Sequence, residues 1–146
     1  MMTSDVMDTD ALKVNRTIPI LRIFSVDKAR EFYVDYVGFK VDWEHRLNDN
    51  APLYMQVSLG ALVLHLSEHH GDACPGAAVR VESTGVLAFH RRLAAKNYRY
   101  QNPGIEETPW GSRCVRLVDP FGNRLLFDEK IEDGGRRSPR DGVESV

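Results

Sequence analysis

The sequence predicts an α+β fold built from two consecutive β-α-β-β-β modules. Three observations carry that expectation: an apolar β-like run leads straight into an amphipathic helical stretch, three short alternating segments follow it, and the same order then recurs further along the chain. A chain of 146 residues can bury enough apolar surface to fold without covalent staples.

Residues 1–15 are polar and aperiodic and are expected to form a flexible N-terminal tail; the stretch 132–146, with Asp133, Gly134, Gly135, Ser138 and Pro139, has the composition of a second one. The folded domain is therefore placed at residues 16–131, with module one over about 16–68 and module two over about 76–131. Thr17 to Phe24 reads as the first strand, Pro19 marking an edge or a strand start. Ser25 is a plausible N-cap, and Ala29, Phe32, Tyr33, Tyr36 and Val37 recur at helical spacing before Gly38, which suits a left-handed stop. Strands are expected at Phe39 to His45, Leu53 to Ser58 and Ala61 to Ser67, separated by Asn48-Asp49-Asn50 and Leu59-Gly60.

Module two opens with a strand at Ala77 to Glu82. Thr84 can cap a helix carrying Val86, Phe89, His90, Leu93 and Ala94, and Asn97 can end it in a left-handed turn. Strands are predicted near Tyr98 to Gln101, at Ser112 to Val118 and at Arg124 to Asp128. Superposing Gly38-Phe39 on Asn97-Tyr98 also brings Ser25 onto Thr84 and Ala29 onto Ala88, an ordered self-similarity that points to internal duplication.

Bulk properties narrow the function classes. Cys74 and Cys114 lack the spacing of a zinc knuckle or a disulfide framework, so reduced thiols and a cytoplasmic location are expected. No apolar run approaches the roughly 20 residues that span a bilayer, and the N-terminus lacks a basic-then-apolar leader, so no membrane role is expected. A net charge of −2 with interspersed signs offers no broad basic face, despite the doublets Arg91-Arg92 and Arg136-Arg137, and argues against nucleic acid as a partner.

The runs Ile20-Leu21-Arg22-Ile23, Ala29-Arg30-Glu31-Phe32-Tyr33 and Val37-Gly38-Phe39, with Asp119-Pro120-Phe121-Gly122-Asn123-Arg124 between the last strands, resemble the vicinal-oxygen-chelate superfamily. That superfamily contains glyoxalase I, extradiol dioxygenases and the bleomycin-resistance proteins. Trp110-Gly111, just before the penultimate strand, makes the resemblance nearest in type to bleomycin-resistance proteins, where a tryptophan lines the drug site; a core or rim tryptophan is the plain alternative. Taken alone, the Asp-Pro-x-Gly-Asn stretch is simply a good turn. The resemblance implies the glyoxalase/bleomycin-resistance fold, with paired βαβββ modules forming a cupped mixed sheet around a small-molecule site.

The resemblance also assigns four cup-facing positions that hold a divalent cation in metal-dependent members. Here they fall on Ile18, His65, Ala78 and Leu126. The alternation of Leu62, Leu64 and Leu66 against Val63, His65 and Ser67 directs His65 into the cup. One histidine does not make an open site of about three protein ligands, so no metal and no other cofactor are expected. The segment from His65 to Cys74, with Glu68, His69, His70 and Asp72, is dense in ligand types and is the alternative metal site.

A metal-free cup offers His65, Arg22, Arg80 and Glu82 as convergent polar groups and Trp43, Tyr54, Trp110 and Phe121 as walls, the make-up of a binding pocket. No catalytic residue is assigned. The expected function is metal-free binding of a small molecule by a homodimer, conferring bleomycin-like antibiotic resistance by sequestration. The alternatives are a metal-dependent lyase or dioxygenase of the same superfamily, or a metal-free isomerase using His65. A cationic ligand would need Asp42, Glu44, Glu68, Asp72, Glu106 or Glu107 in the cleft, whereas Arg22 and Arg80 favour an anion.

Overall fold

A computed structural model describes residues 10–131. Of the two predicted tails, residues 1–9 and 132–146 lie outside the described residues, and so does the doublet Arg136-Arg137. The elements run β1 (Ile20–Arg22), α1 (Val26–Ala29) continuing as a π-helix (Arg30–Val37), β2 (Lys40–His45), β3 (Tyr54–Leu59), β4 (Leu62–Ser67), β5 (Ala78–Glu82), α2 (Val86–Ala95), β6 (Glu106–Glu107), β7 (Ser112–Val118) and β8 (Arg124–Lys130).

Each module forms a four-stranded mixed sheet, in the orders β1-β4-β3-β2 and β5-β8-β7-β6. In both, the first strand lies parallel to the last and the remaining pairs are antiparallel, so the duplication read from the sequence is repeated in the pairing. Leu21, Met55, Val57, Leu64 and Leu66 of the first sheet and Val115, Leu117, Leu125 and Phe127 of the second are buried in one shared core with Phe32, Tyr33, Val37 and Leu93 of the helices.

The helices are set by local chemistry. Ser25 is extended and its Oγ accepts from Lys28 N at 3.1 Å, as the cap reading requires. The helix then widens: Gly38 N and Phe39 N both donate to Tyr33 O, at 3.1 and 2.8 Å, and Gly38 takes φ +105°. Lys96, the residue that caps the end of α2, closes this end by donating to Asp35 O and Tyr36 O at 2.7 and 2.9 Å, which pins one module's helix to the other's.

Two expectations for module two are corrected. Gly85, at φ +90°, precedes α2 where Thr84 was expected to cap; the carboxylate of Glu129 reaches from β8 to accept from Val86 N at 3.0 Å, so no hydroxyl cap is needed. No strand forms at Tyr98 to Gln101. Tyr98 stacks on Tyr36 instead, and the Gln101 side-chain amide takes the place of a strand backbone, bonding both Val118 O (2.6 Å) and Val118 N (3.2 Å). The edge strand is the short β6. Ala94 is exposed rather than inward-facing, and β1 is shorter than the apolar run around it, leaving Ile18 ahead of the strand. Asn97 does turn left-handed, at φ +49°.

The Asp119-Pro120-Phe121-Gly122-Asn123 segment is more than a turn. Asp119 accepts from Phe121 N and Asn123 N at 2.8 Å each and from the Tyr33 hydroxyl at 2.6 Å. Asn123 donates to Arg22 O at 2.9 Å and accepts from Ala77 N at 3.2 Å, so one buried amide ties the first strand of module one to the start of module two.

Candidate functional site

On the first sheet, register sets the polar face. Ile20, His65, Gln56 and Trp43 are aligned across the four strands, and Arg22, Ser67, Tyr54 and His45 form the next row. Leu64 and Leu66 are buried on the opposite face, so the alternation expected for His65 is found. Simple alternation along β2 would have placed Trp43 beside core-facing Val41. A bulge at Asp42 inserts one residue into the ladder and turns Trp43 onto the polar face.

These residues form one hydrogen-bonded wall. Gln56 donates from Nε2 to Asp42 Oδ2 at 3.0 Å; because that carboxylate only accepts, the Gln56 carbonyl oxygen faces His65 Nε2, at 3.0 Å. His65 Nε2 therefore carries the ring proton, and Nδ1 accepts from the Tyr54 hydroxyl at 2.7 Å. Burial, and secondarily the charge of Arg16, holds the His65 pKa below its ordinary value, which favours this neutral tautomer. The Trp43 and Tyr54 rings lie nearly parallel at 6.1 Å, and both meet the imidazole edge-on at 5.2 and 5.1 Å. Asp42 is fixed by Ser58 Oγ at 3.1 Å and Lys40 Nζ at 3.4 Å as well; its pKa is lowered chiefly by the Gln56 hydrogen bond.

Arg80 and Glu82 sit elsewhere, on β5 of the second sheet, and Trp110 lies in the turn between β6 and β7. With Ser112, Asp128 and Lys130 they line a cleft of about 510 Å³ in which Trp110 is 59% exposed. Arg80 pairs with Asp128, and that hydrogen bond raises the Arg80 pKa. The buried Cys114 lies opposite Asp128 in the ladder; burial first, then Asp128, pushes its thiol up to about 11. Arg22 and Phe121 form a third group: the Arg22 guanidinium lies 4.5 Å from the Phe24 ring centroid, and Phe24 meets Phe121 at 6.1 Å. The eight expected site residues thus fall into three clusters. Gln56 and Asp42, which orient His65, were not among them.

The residues do not fit the cation of the metal-dependent relatives. Ile18, Ala78 and Leu126 carry no donor atom, and both His65 nitrogens are engaged inside the wall. In the alternative segment, Asp72 accepts from Ser67 Oγ at 2.6 Å and Glu68 from Leu53 N at 2.9 Å. Among the described residues no three His, Cys, Asp or Glu side chains converge to hold a metal ion. No helix among them is long and apolar enough to cross a membrane.

Paired four-stranded mixed sheets with parallel outer pairs, each backed by a helix, define the glyoxalase/bleomycin-resistance fold. The chain belongs to the glyoxalase superfamily: the family described as "Glyoxalase superfamily protein" matches residues 3–134. Among solved structures, the bleomycin-binding protein of bleomycin-producing Streptomyces verticillus, complexed with copper(II)-bleomycin, is 27% identical, with 84% of this chain and 100% of that one covered and a TM-score of 0.60. The bleomycin resistance determinant encoded on the transposon Tn5 is 20% identical over 82% of this chain and 100% of that one, with a TM-score of 0.62. An antibiotic-binding protein from a Streptomyces species is 21% identical over 83% and 100%, with a TM-score of 0.64. No curated protein matches the chain.

Proposed function

We propose that this protein binds a small molecule without turning it over, and that it acts by sequestration, as in resistance to an antibiotic of the bleomycin type. The observation that carries the reading is the state of His65. A general base needs a free lone pair and a metal ligand likewise, and His65 spends its lone pair on the Tyr54 hydroxyl and its proton on Gln56. What remains is a rigid wall of Trp43, Tyr54 and His65, suited to stacking against a flat group.

The ligand-binding residues on this reading are Trp43, Tyr54 and His65 on the first sheet, Arg80 and Glu82 on the second with Trp110 from the β6–β7 turn, and Arg22 of β1 with Phe121 from the β7–β8 turn. The reading includes a homodimer, which the exposure of the second sheet's polar face supports: Ala78, Arg80 and Glu82 are all open in the single chain, and a second copy would close each cleft. Titration with metal-free bleomycin, read by tryptophan fluorescence, tests the proposal, with Trp110→Phe leaving Trp43 as the sole reporter. Saturable quenching supports it; no change at millimolar bleomycin removes sequestration of that drug. Light scattering of the full chain gives the oligomeric state.

A further inference from the structure

Among the described residues, Arg22 is a buried charged side chain with no ion pair. It is 9% exposed, and its Nη1 is enclosed without a hydrogen-bond partner. Its guanidinium lies over the face of Phe24. An uncompensated buried charge destabilises a fold unless a counter-charge arrives.

The surroundings show where one would arrive. Arg22 lines an open cleft of about 470 Å³ between the end of β1 and the β2–β3 loop, together with Phe24, Arg46, Asn50 and Glu68. Arg46 is a second guanidinium, held at the cleft by its bond from Nη1 to Asp49 O at 3.0 Å. Glu68 is the cleft's carboxylate, and one of its oxygens is taken by Leu53 N. The nearby Asp72 is turned to Ser67, Arg22's ladder neighbour. Glu68 and Asp72 each have one carboxylate oxygen held by the scaffold and keep their charge, so the cleft lining sets two guanidinium groups against one carboxylate, and both forks retain donors for a planar or tetrahedral oxyanion.

We propose that the Arg22–Arg46 cleft is an oxyanion subsite that receives a carboxylate or phosphate group. The proposal deepens the small-molecule reading by giving the ligand an anionic group, but the subsite is testable without that ligand. Inorganic phosphate and succinate, titrated separately into the full chain at constant ionic strength, distinguish the two oxyanions. Thermal denaturation and, for phosphate, ³¹P line broadening follow binding.

The expected result is a saturable rise in Tm with at least one of the two anions. Arg22→Met abolishes that rise and melts higher than wild type without anion, because it removes the unpaired charge. Arg22→Lys, which keeps the charge but not the fork, and Arg46→Ala each weaken binding at least tenfold. A rise that is linear and unsaturable, as a kosmotropic salt gives, overturns the proposal. So does a rise that survives in Arg22→Met, or an Arg22→Met protein that melts lower than wild type without anion, which would show that Arg22 is already neutralised within the assembly. Phosphate binding without bleomycin binding leaves the subsite standing and removes only the drug; the converse removes only the subsite.

Discussion

Replacing Asn123 by Ala should cost this fold about 3–5 kcal/mol, from the hydrogen bonds and burial at one side chain. Asn123 is fully buried and uses its amide three ways: to Arg22 O at 2.9 Å, to Asp119 Oδ2 at 2.9 Å and from Ala77 N at 3.2 Å. Each lost bond is worth about 1 kcal/mol net, and each abandoned partner shut away from water adds a desolvation cost of about 1–3 kcal/mol. Asp119 keeps Tyr33 and two backbone donors, so its share is small; Arg22 O and Ala77 N bear most of the loss. Urea denaturation followed by far-UV circular dichroism gives the value from the shift in midpoint at unchanged m. Tyr33→Phe, which removes one bond from the same carboxylate and leaves β1 and β5 tied, should cost less than half as much. A loss below about 1 kcal/mol for Asn123→Ala would refute the view that this amide holds the two modules in register.

The His65 and cysteine chemistry gives two further tests. Because burial holds the folded pKa of His65 below its unfolded value, its contribution to stability is full above about pH 6.5 and is lost as the pH falls toward the folded pKa. An ¹⁵N NMR titration should therefore show Nε2–H imidazole at neutral pH and a midpoint below 6.5; an Nδ1–H tautomer would contradict the Asp42–Gln56–His65–Tyr54 arrangement. With Cys114 buried and its thiol pushed up to about 11, a thiol reagent at pH 8 should modify exposed Cys74 at once and Cys114 only in denaturant. Two rapidly reacting thiols in the native protein would count against the burial of β7.

What the sequence made legible was whatever depends on a single residue's neighbours along the chain. The period-two pattern of Leu62 to Ser67 gave the direction of His65, the stop at Asn97 is a local backbone preference, and the apolar character of Ile18, Ala78 and Leu126 is visible in the letters. What escaped depends on insertions and on groups from distant elements. The bulge at Asp42 shifts one register by one residue and brings Trp43 to the polar face, and nothing in Lys40 to His45 announces it. The cap of α2 is supplied by Glu129, more than 40 positions downstream, so Thr84 was the natural but mistaken choice. Gln101 could not be read as a side chain completing a sheet edge, because its partner Val118 lies beyond β6, at the far end of β7.

The same dependence on distant partners decides the electrostatics of the clefts. Counted along the chain, Asp42, Glu44, Glu68, Asp72, Glu106 and Glu107 are carboxylates free to attract a cation. In the fold Asp42 is held by Gln56, Ser58 and Lys40, Glu44 pairs with Arg30, Glu68 accepts from Leu53 N, Asp72 from Ser67 and Glu106 lies 3.5 Å from Arg116. Arg80 is likewise neutralised by Asp128. Arg22 and Arg46 have no such carboxylate among the described residues. A cationic ligand would compete with existing partners at five of these six acids, whereas an anionic group would meet two guanidinium groups that have no ion pair, and net charge alone, at −2, gives the opposite impression.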